Sequence, residues 1–234
     1  MAEMALGYGS EYQLLRYLGH HRNFLDSKIK EATKSDSPIE WMDYPVDKNV
    51  EKRVSLDGEW TDVRFLEHLQ YPNYERISKM WGDFWPKKGH RPSWDGIFQQ
   101  DEVLYIVEAK AHTEELENPT NAKDENSVKI IKKAFEQVTH NPSKAELWLK
   151  SKYYQLANRI ALVHFLNSQG IKAKVCYIFF LNGYLKDTTM NVIDERVFHQ
   201  AFEEECNALQ LTTEEKAYIV PVVIDAKEDG FATK

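Results

Sequence analysis

The chain has 234 residues, a length at which one domain can bury a substantial core, so we expect a single domain over residues 1–234. Its composition, 42% hydrophobic and 29% charged, is that of a folded globular protein and excludes a disordered or membrane-spanning chain. The formal net charge of −7 argues against a protein that coats nucleic acid without specificity, because such proteins present a basic surface.

The N-terminal third gives few clear signals. It has neither a basic leader nor an apolar run of about 18 residues, so we expect a cytoplasmic protein without membrane contact. Leucines at helical spacing in residues 8–18, YGSEYQLLRYL, predict a helix with Ser10 as its N-cap and Glu11 in its first turn. Residues 20–38 are polar and predict no regular element, and residues 39–45, IEWMDYP, predict a short strand.

The next stretch ends in a basic loop. Alternation around Asp57-Gly58 in residues 53–60 indicates a hairpin. Residues 61–85 predict two aromatic-rich helical segments separated near Pro72, and the loop FWPKKGHRP follows them. We interpret residues 19–90 as an insertion into the domain.

A pair of strands follows this loop. WDGIF, residues 94–98, predicts one strand, and the β-branched and aromatic run of residues 103–109, VLYIVEA, predicts the next. A reversal centred on Asp101-Glu102 would place Asp95 opposite Glu108 in an antiparallel pair.

The second half alternates between helical and strand patterns. Two cysteines, Cys176 and Cys206, form neither a CxxC pair nor a zinc-ligand spacing, so neither a disulfide framework nor a zinc site is indicated. Pro221 favours an edge position for the last strand. The predicted elements are helices at 127–139, 144–167 (ending near Gly170) and 194–208, and strands at 173–181 and 218–224. This order predicts an α/β fold, with a mixed sheet flanked by helices.

Glu108 and Lys110 are unusual because they interrupt an apolar strand. Residues two apart in a strand project from the same face, so these two side chains lie together. Directly paired carboxylates, such as Asp95 and Glu108, have Cβ atoms about 4.5–5.5 Å apart and repel each other. Two converging carboxylates suit a hard cation such as Mg²⁺, and an adjacent lysine can orient water or stabilise developing charge. This combination indicates phosphodiester hydrolysis.

Asp95 followed by Glu108-Ala109-Lys110 at the end of an apolar strand resembles the signature of the PD-(D/E)XK nuclease superfamily. The resemblance covers residues 93–182 and implies the restriction-endonuclease-like core of a helix, three antiparallel strands, a helix and a further strand, with helical insertions. It also implies that Asp95, Glu108 and the Ala109 carbonyl bind Mg²⁺ or Mn²⁺ and that Lys110 is catalytic.

Further residues match that superfamily more loosely. Members often carry a glutamate on the first core helix, which makes Glu11 a candidate metal ligand, and some carry a glutamine on the helix after the motif. Gln155 and Arg159, i and i+4 on one predicted helix face, resemble that arrangement and are candidate substrate-binding residues. The chain departs from the pattern before Asp95, where Ser93-Trp94 replaces the usual proline.

Three basic residues of the loop before Asp95, Lys87, Lys88 and Arg91, are candidates for contact with a phosphate backbone, although such a loop is equally typical of a solvated surface. We therefore expect a metal-dependent nuclease that acts on nucleic acid, with DNA favoured over RNA. Cutting of two strands would suggest a homodimer.

Other interpretations remain open at this point. Asp95-Gly96 is also typical of a type I′ turn, and Glu108 with Lys110 is also compatible with a surface ion pair in an unrelated α/β protein. Gln155 and Arg159 are also compatible with the ordinary polar face of a helix. The alternative function is a catalytically inactive nucleic-acid- or protein-binding module that retains the nuclease fold.

Overall fold

The protein is a mixed α/β fold built on a five-stranded sheet, and the computed structural model describes residues 8–42, 60–87, 91–184 and 188–228. The strands in these ranges are β1 (Glu40–Trp41), β2 (Trp60–Thr61), β3 (Ser93–Trp94), β4 (Gly96–Gln100), β5 (Val103–Lys110), β6 (Ala173–Leu181) and β7 (Ile219–Asp225). The α-helices are α1 (Ser10–His20), α2 (Arg22–Thr33), α3 (Phe65–His68), α4 (Tyr74–Phe84), α5 (Glu125–Thr139), α6 (Pro142–Lys150), α7 (Tyr154–Ser168), α8 (Glu195–Ala208) and α9 (Thr213–Lys216).

The large sheet has the strand order β1-β4-β5-β6-β7. The pairs β1–β4 and β4–β5 are antiparallel, whereas β5–β6 and β6–β7 are parallel. Strand β7, which contains Pro221, lies at an edge as predicted. Strands β2 and β3 form a separate antiparallel pair just before Asp95.

The register of the β4–β5 hairpin is the predicted one, since Gly96 pairs with Val107. Asp101 and Glu102 both have left-handed backbone conformations, with φ of 50° and 61°, as the two central residues of a type I′ turn do. The alternative in which Asp95-Gly96 forms the turn is therefore wrong. Because the turn fixes the register, it also fixes which side chains of β5 face each layer.

A parallel pair of strands requires a long crossover, and α5, α6 and α7 form it between β5 and β6. Asp124 caps α5 by accepting a hydrogen bond from the Ser127 amide, and Asn141 caps α6. The single helix predicted over 144–167 is instead two helices, because Ser151 adopts an extended backbone (φ −68°, ψ 144°). The crossover places α7 against β6.

Both faces of the sheet are covered. One face packs against α1 and α2 through a core that includes Leu14, Tyr17 and Ile29, and the other packs against the helices that follow β1.

The predicted first helix is present, but Gly9 rather than Ser10 occupies its N-cap position, so the Ser10 assignment is wrong. Sequence reasoning missed α2, which buries only Leu25 and Ile29 of its mainly polar residues.

Two predictions lie wholly or mostly outside the described ranges. The hairpin predicted at residues 53–60 lies outside them except for Trp60. Lys88 also lies outside them. Strand β1 lies inside the range interpreted as an insertion, 19–90, yet it joins the main sheet.

Among the described helices, none has the length and apolar character that a membrane crossing requires.

Candidate active site

The charged end of β5 is buried. Glu108 is 2% exposed and Lys110 is 5% exposed. Alternation along the strand places Val107 and Ala109 in the core beneath α1 and α2, whereas Glu108 and Lys110 project from the opposite face, toward α7. The interpretation of Glu108 and Lys110 as an exposed surface ion pair is therefore wrong.

Helix α7 supplies partners for both charges. Lys110 Nζ lies 2.6 Å from Glu108 Oε1 and donates a hydrogen bond of 2.7 Å to Gln155 Oε1. Arg159 Nε donates a 2.6 Å hydrogen bond to Glu108 Oε2, and Arg159 Nη2 lies 2.6 Å from the same oxygen. The i, i+4 pair predicted on this helix thus contacts both charged residues of the strand motif.

Asp95 lies at the bend between β3 and β4, one residue before the paired part of the hairpin. Its Oδ2 accepts a 2.7 Å hydrogen bond from the Ala109 amide. Burial raises the pKa of Asp95 well above its usual value, and the charge of Glu108 raises it further, against the opposing effect of Lys110 and Arg159. The charge of Glu108 therefore acts on Asp95, as we expect of two carboxylates that one hairpin brings close together.

The two cationic side chains determine the charge state of Glu108. Burial acts to raise the pKa of Glu108, but the charges of Arg159 and Lys110 outweigh it and hold the pKa below its usual value. Burial acts to lower the pKa of Lys110, but Glu108 and Asp95 outweigh it and the pKa is raised. Glu108 and Lys110 are therefore both ionised at neutral pH.

These side chains line one open cleft of about 460 Å³. Its lining residues are Ser10, Glu11, Ser93, Asp95, Glu108, Ala109, Lys110, Glu115, Glu117, Asn118, Gln155 and Arg159. Glu11, at the start of α1, thus shares the cleft with the strand motif, although the two are far apart in sequence. Five carboxylates and two cationic groups line the cleft, so its formal charge is negative.

We compared the chain with protein-family models, with curated proteins and with solved structures. None matches.

The basic loop does not line this cleft where it is described. Lys87 is exposed and lies 3.6 Å from Asp83, and Arg91 pairs with Asp62 at 2.8 Å. Arg91 instead lines a neighbouring cavity, which shares Gln155 and Arg159 with the cleft. The structure therefore separates Lys87 from the predicted site and places Arg91 beside it.

Sequence reasoning missed several contributors. The Arg159 guanidinium carbon lies 4.6 Å from the centre of the Trp94 ring, in a cation–π arrangement. Glu115 lines the cleft and accepts a 2.7 Å hydrogen bond from the Ala111 amide. Trp94 and Glu115 do not stand at a distinctive spacing from the strand motif, so no sequence signal could have identified them as part of the site.

Glu205 is a further missed residue, and its sequence position carried a signal. It lies at helical spacing from Phe198 and Phe202 on α8, where an apolar side chain is expected, and it is 0% exposed. Tyr177 donates a 3.3 Å hydrogen bond to its Oε2. Burial raises the pKa of Glu205 to about 8, although the charge of Lys110 lowers it.

A divalent cation fits part of this donor set. Within the described ranges, no three histidine, cysteine, aspartate or glutamate side chains form a group that could hold a metal ion. Protein sites for Mg²⁺ commonly use one or two carboxylates and complete the shell with water and substrate phosphate, and Asp95 and Glu108 provide two in one cleft. Because Lys110 and Arg159 engage both oxygens of Glu108, a cation there would have to replace one of these contacts.

Proposed function

We propose that this chain is a metal-dependent nuclease that hydrolyses phosphodiester bonds of nucleic acid, with DNA as the favoured substrate, and that it belongs to the PD-(D/E)XK superfamily. The observation that carries the proposal is the meeting of Asp95, Glu108 and Lys110 in one cleft at the end of a buried strand. A buried charged cluster of this kind has to offset a large desolvation cost, which is typical of functional sites.

The order of elements supports the superfamily assignment. The antiparallel strands β1, β4 and β5 follow α1, the crossover ends in α7, and β6 then pairs in parallel with β5. This order matches the restriction-endonuclease-like core of a helix, three antiparallel strands, a helix and a further strand. The Gln155–Lys110 hydrogen bond supports it independently of the strand motif.

In this mechanism, Asp95, Glu108 and the Ala109 carbonyl would hold Mg²⁺ or Mn²⁺, and Glu11, which lines the same cleft, is the further candidate ligand. The bound ion supplies polarisation of the phosphoryl oxygen and activation of water. Lys110 orients the attacking water or stabilises the charge that develops on the phosphate. Gln155 holds the Lys110 ammonium in place through its 2.7 Å contact.

Cleavage of labelled DNA in Mg²⁺ or Mn²⁺ tests this proposal. We expect wild type to cleave and Asp95→Asn and Lys110→Met to lose at least about 100-fold in rate, since each removes a group that acts on the reacting phosphate. Glu204→Gln, an exposed carboxylate on α8, is the matched control and should cleave normally. Undiminished cleavage by folded Lys110→Met would contradict the proposal.

A second candidate, a binding module without catalysis, is favoured by the engagement of both Glu108 oxygens with cationic side chains. Calorimetric titration of Mg²⁺ and Mn²⁺ separates the two functions. Metal binding to wild type that Glu108→Gln abolishes would support the nuclease. Nucleic-acid binding that chelation leaves unchanged, without any turnover, would support the binding module.

A further inference from the structure

Glu108 contacts its two cationic partners through different oxygens. Its Oε1 lies 2.6 Å from Lys110 Nζ, whereas its Oε2 accepts a hydrogen bond from Arg159 Nε and lies 2.6 Å from Arg159 Nη2. An incoming Mg²⁺ needs at least one of these oxygens, and two positive charges already stand beside them. Like charges repel strongly where water is scarce, and Glu108 is only 2% exposed. One of the two cationic side chains therefore has to move away when the ion binds.

Lys110 has a second partner that keeps it in the cleft. Its Nζ also donates a 2.7 Å hydrogen bond to Gln155 Oε1. This contact does not involve Glu108, so it persists when the carboxylate turns to a metal ion. Lys110 lines the cleft, and the neighbouring cavity is lined by other residues. Lys110 is therefore the partner that stays.

Arg159 has space to move into. It lines both the cleft and the neighbouring cavity, which has a volume of about 390 Å³. Two other residues that line this cavity, Asn121 and Asp124, are exposed, so water reaches it. A rotation of the long Arg159 side chain can thus take the guanidinium away from Glu108 and into a hydrated space, where its charge is solvated.

We infer that Arg159 competes with the metal ion for Glu108: the guanidinium occupies Oε2 in the metal-free protein and is released into the neighbouring cavity when the ion binds, while Lys110 stays in the cleft. The inference rests on the proposed function and deepens it, because it assigns to Arg159 control over metal binding at the same site. The free energy required to release Arg159 weakens metal binding by the same amount. In the metal-free protein, Arg159 compensates a buried carboxylate that would otherwise be strongly destabilising.

The first test is calorimetric titration of the full-length protein with Mg²⁺. We expect Arg159→Met to bind the ion about tenfold more tightly than wild type, a change within the roughly 5–150-fold usual for coupled binding events. Adding Glu108→Gln to Arg159→Met should abolish this gain. Arg196→Met is the matched control, because it changes the net charge equally by removing an exposed arginine that pairs with Asp194. It should bind Mg²⁺ as wild type does.

A second measurement uses wild type alone and so does not depend on how any Arg159 variant folds. The Arg159 Nε–H donates to a buried carboxylate, which protects it from exchange with water. Its ¹⁵N NMR signal is assigned through the side-chain carbons and followed as Mg²⁺ is added. We expect the signal to shift and weaken along the binding curve that calorimetry gives. A signal that is unchanged at saturating Mg²⁺ would overturn the inference.

The outcomes separate this inference from the nuclease. Unchanged or weaker Mg²⁺ binding by folded Arg159→Met, beside a wild type that binds Mg²⁺ and cleaves DNA, would overturn the inference and leave the nuclease in place. Tighter binding by Arg159→Met in a protein whose wild type never cleaves DNA would support the inference and refute only the nuclease. Failure of both proteins to bind Mg²⁺ would overturn both.

Discussion

At the scale of single residues, the buried ion pair of Glu108 and Arg159 affects the free energy of unfolding. The two side chains are 3% and 6% exposed, so neither charge is well solvated if its partner is removed. Loss of one member of a buried ion pair typically costs about 3–5 kcal/mol. Loss of both members costs less than the sum of the two losses, because neither of these two charges is left facing an empty site, although Lys110 then loses the carboxylate with which it pairs. The pair therefore calls for a double-mutant cycle.

We expect Arg159→Met to lower the free energy of unfolding by about 3–5 kcal/mol and Glu108→Gln to lower it comparably. The double variant should be at least about 1 kcal/mol more stable than the sum of the two losses predicts, because contacting residues couple. Urea unfolding in metal-free buffer measures all three. Additive losses would show that the guanidinium stabilises the protein mainly through its contact with Trp94.

The raised pKa of Glu205 makes the free energy of unfolding depend on pH. The groups that act on it are Lys110 and Glu108 of β5 and Tyr177 of β6, and its Oε1 has no donor among the described residues. Its pKa rises from 4.5 in the unfolded chain to about 8 in the fold, so the native state binds the proton more tightly. Its contribution is therefore most favourable below pH about 4.5 and is lost as pH rises to about 8.

We expect Glu205→Gln to be more stable than wild type at pH 8, by on the order of 4 kcal/mol, since each pKa unit corresponds to about 1.4 kcal/mol. The difference should shrink as pH falls and vanish near pH 4. Urea unfolding across this range measures it, with Glu204→Gln on the exposed face of α8 as the control. A constant difference at every pH would mean that folding does not raise the pKa of Glu205.

At the scale of elements, local signals predicted best where one residue type or one period dominates. The β-branched run of β5 and the apolar run of β6 gave both strands, and the Asp101-Glu102 reversal gave the register that places Asp95 beside Ala109. Helix α2 was missed because two buried side chains among polar ones leave a weak period. The break at Ser151 was missed because the apolar spacing continues through it.

At the scale of the whole molecule, the strand motif was predictable and its surroundings were not. Asp95, Glu108 and Lys110 lie within one hairpin, so turn geometry was sufficient to bring them together. The contact of Arg159 with Glu108 depends on a crossover of three helices, whose path no local pattern specifies. The i, i+4 spacing of Gln155 and Arg159 showed only that they share a helix face.

The charge of the molecule leads to a prediction about how nucleic acid reaches the site. The chain carries a net charge of −7, and carboxylates outnumber cationic groups around the cleft. A phosphate backbone is repelled there unless a divalent cation offsets the carboxylates, and bulk salt screens the buried Glu108 carboxylate poorly. Binding of DNA should therefore require the cation even when no cleavage occurs.

We expect Lys110→Met protein to bind single-stranded DNA at least about tenfold more tightly in Mg²⁺ than in a chelator at matched ionic strength. Adding Asp95→Asn should remove most of this gain, because it takes away a proposed ligand, whereas adding Glu204→Gln should preserve it. Fluorescence anisotropy measures each affinity. Equal affinity with and without the cation would place the DNA outside the cleft, and binding would then depend on cationic side chains such as Arg91 and Lys123 of the neighbouring cavity.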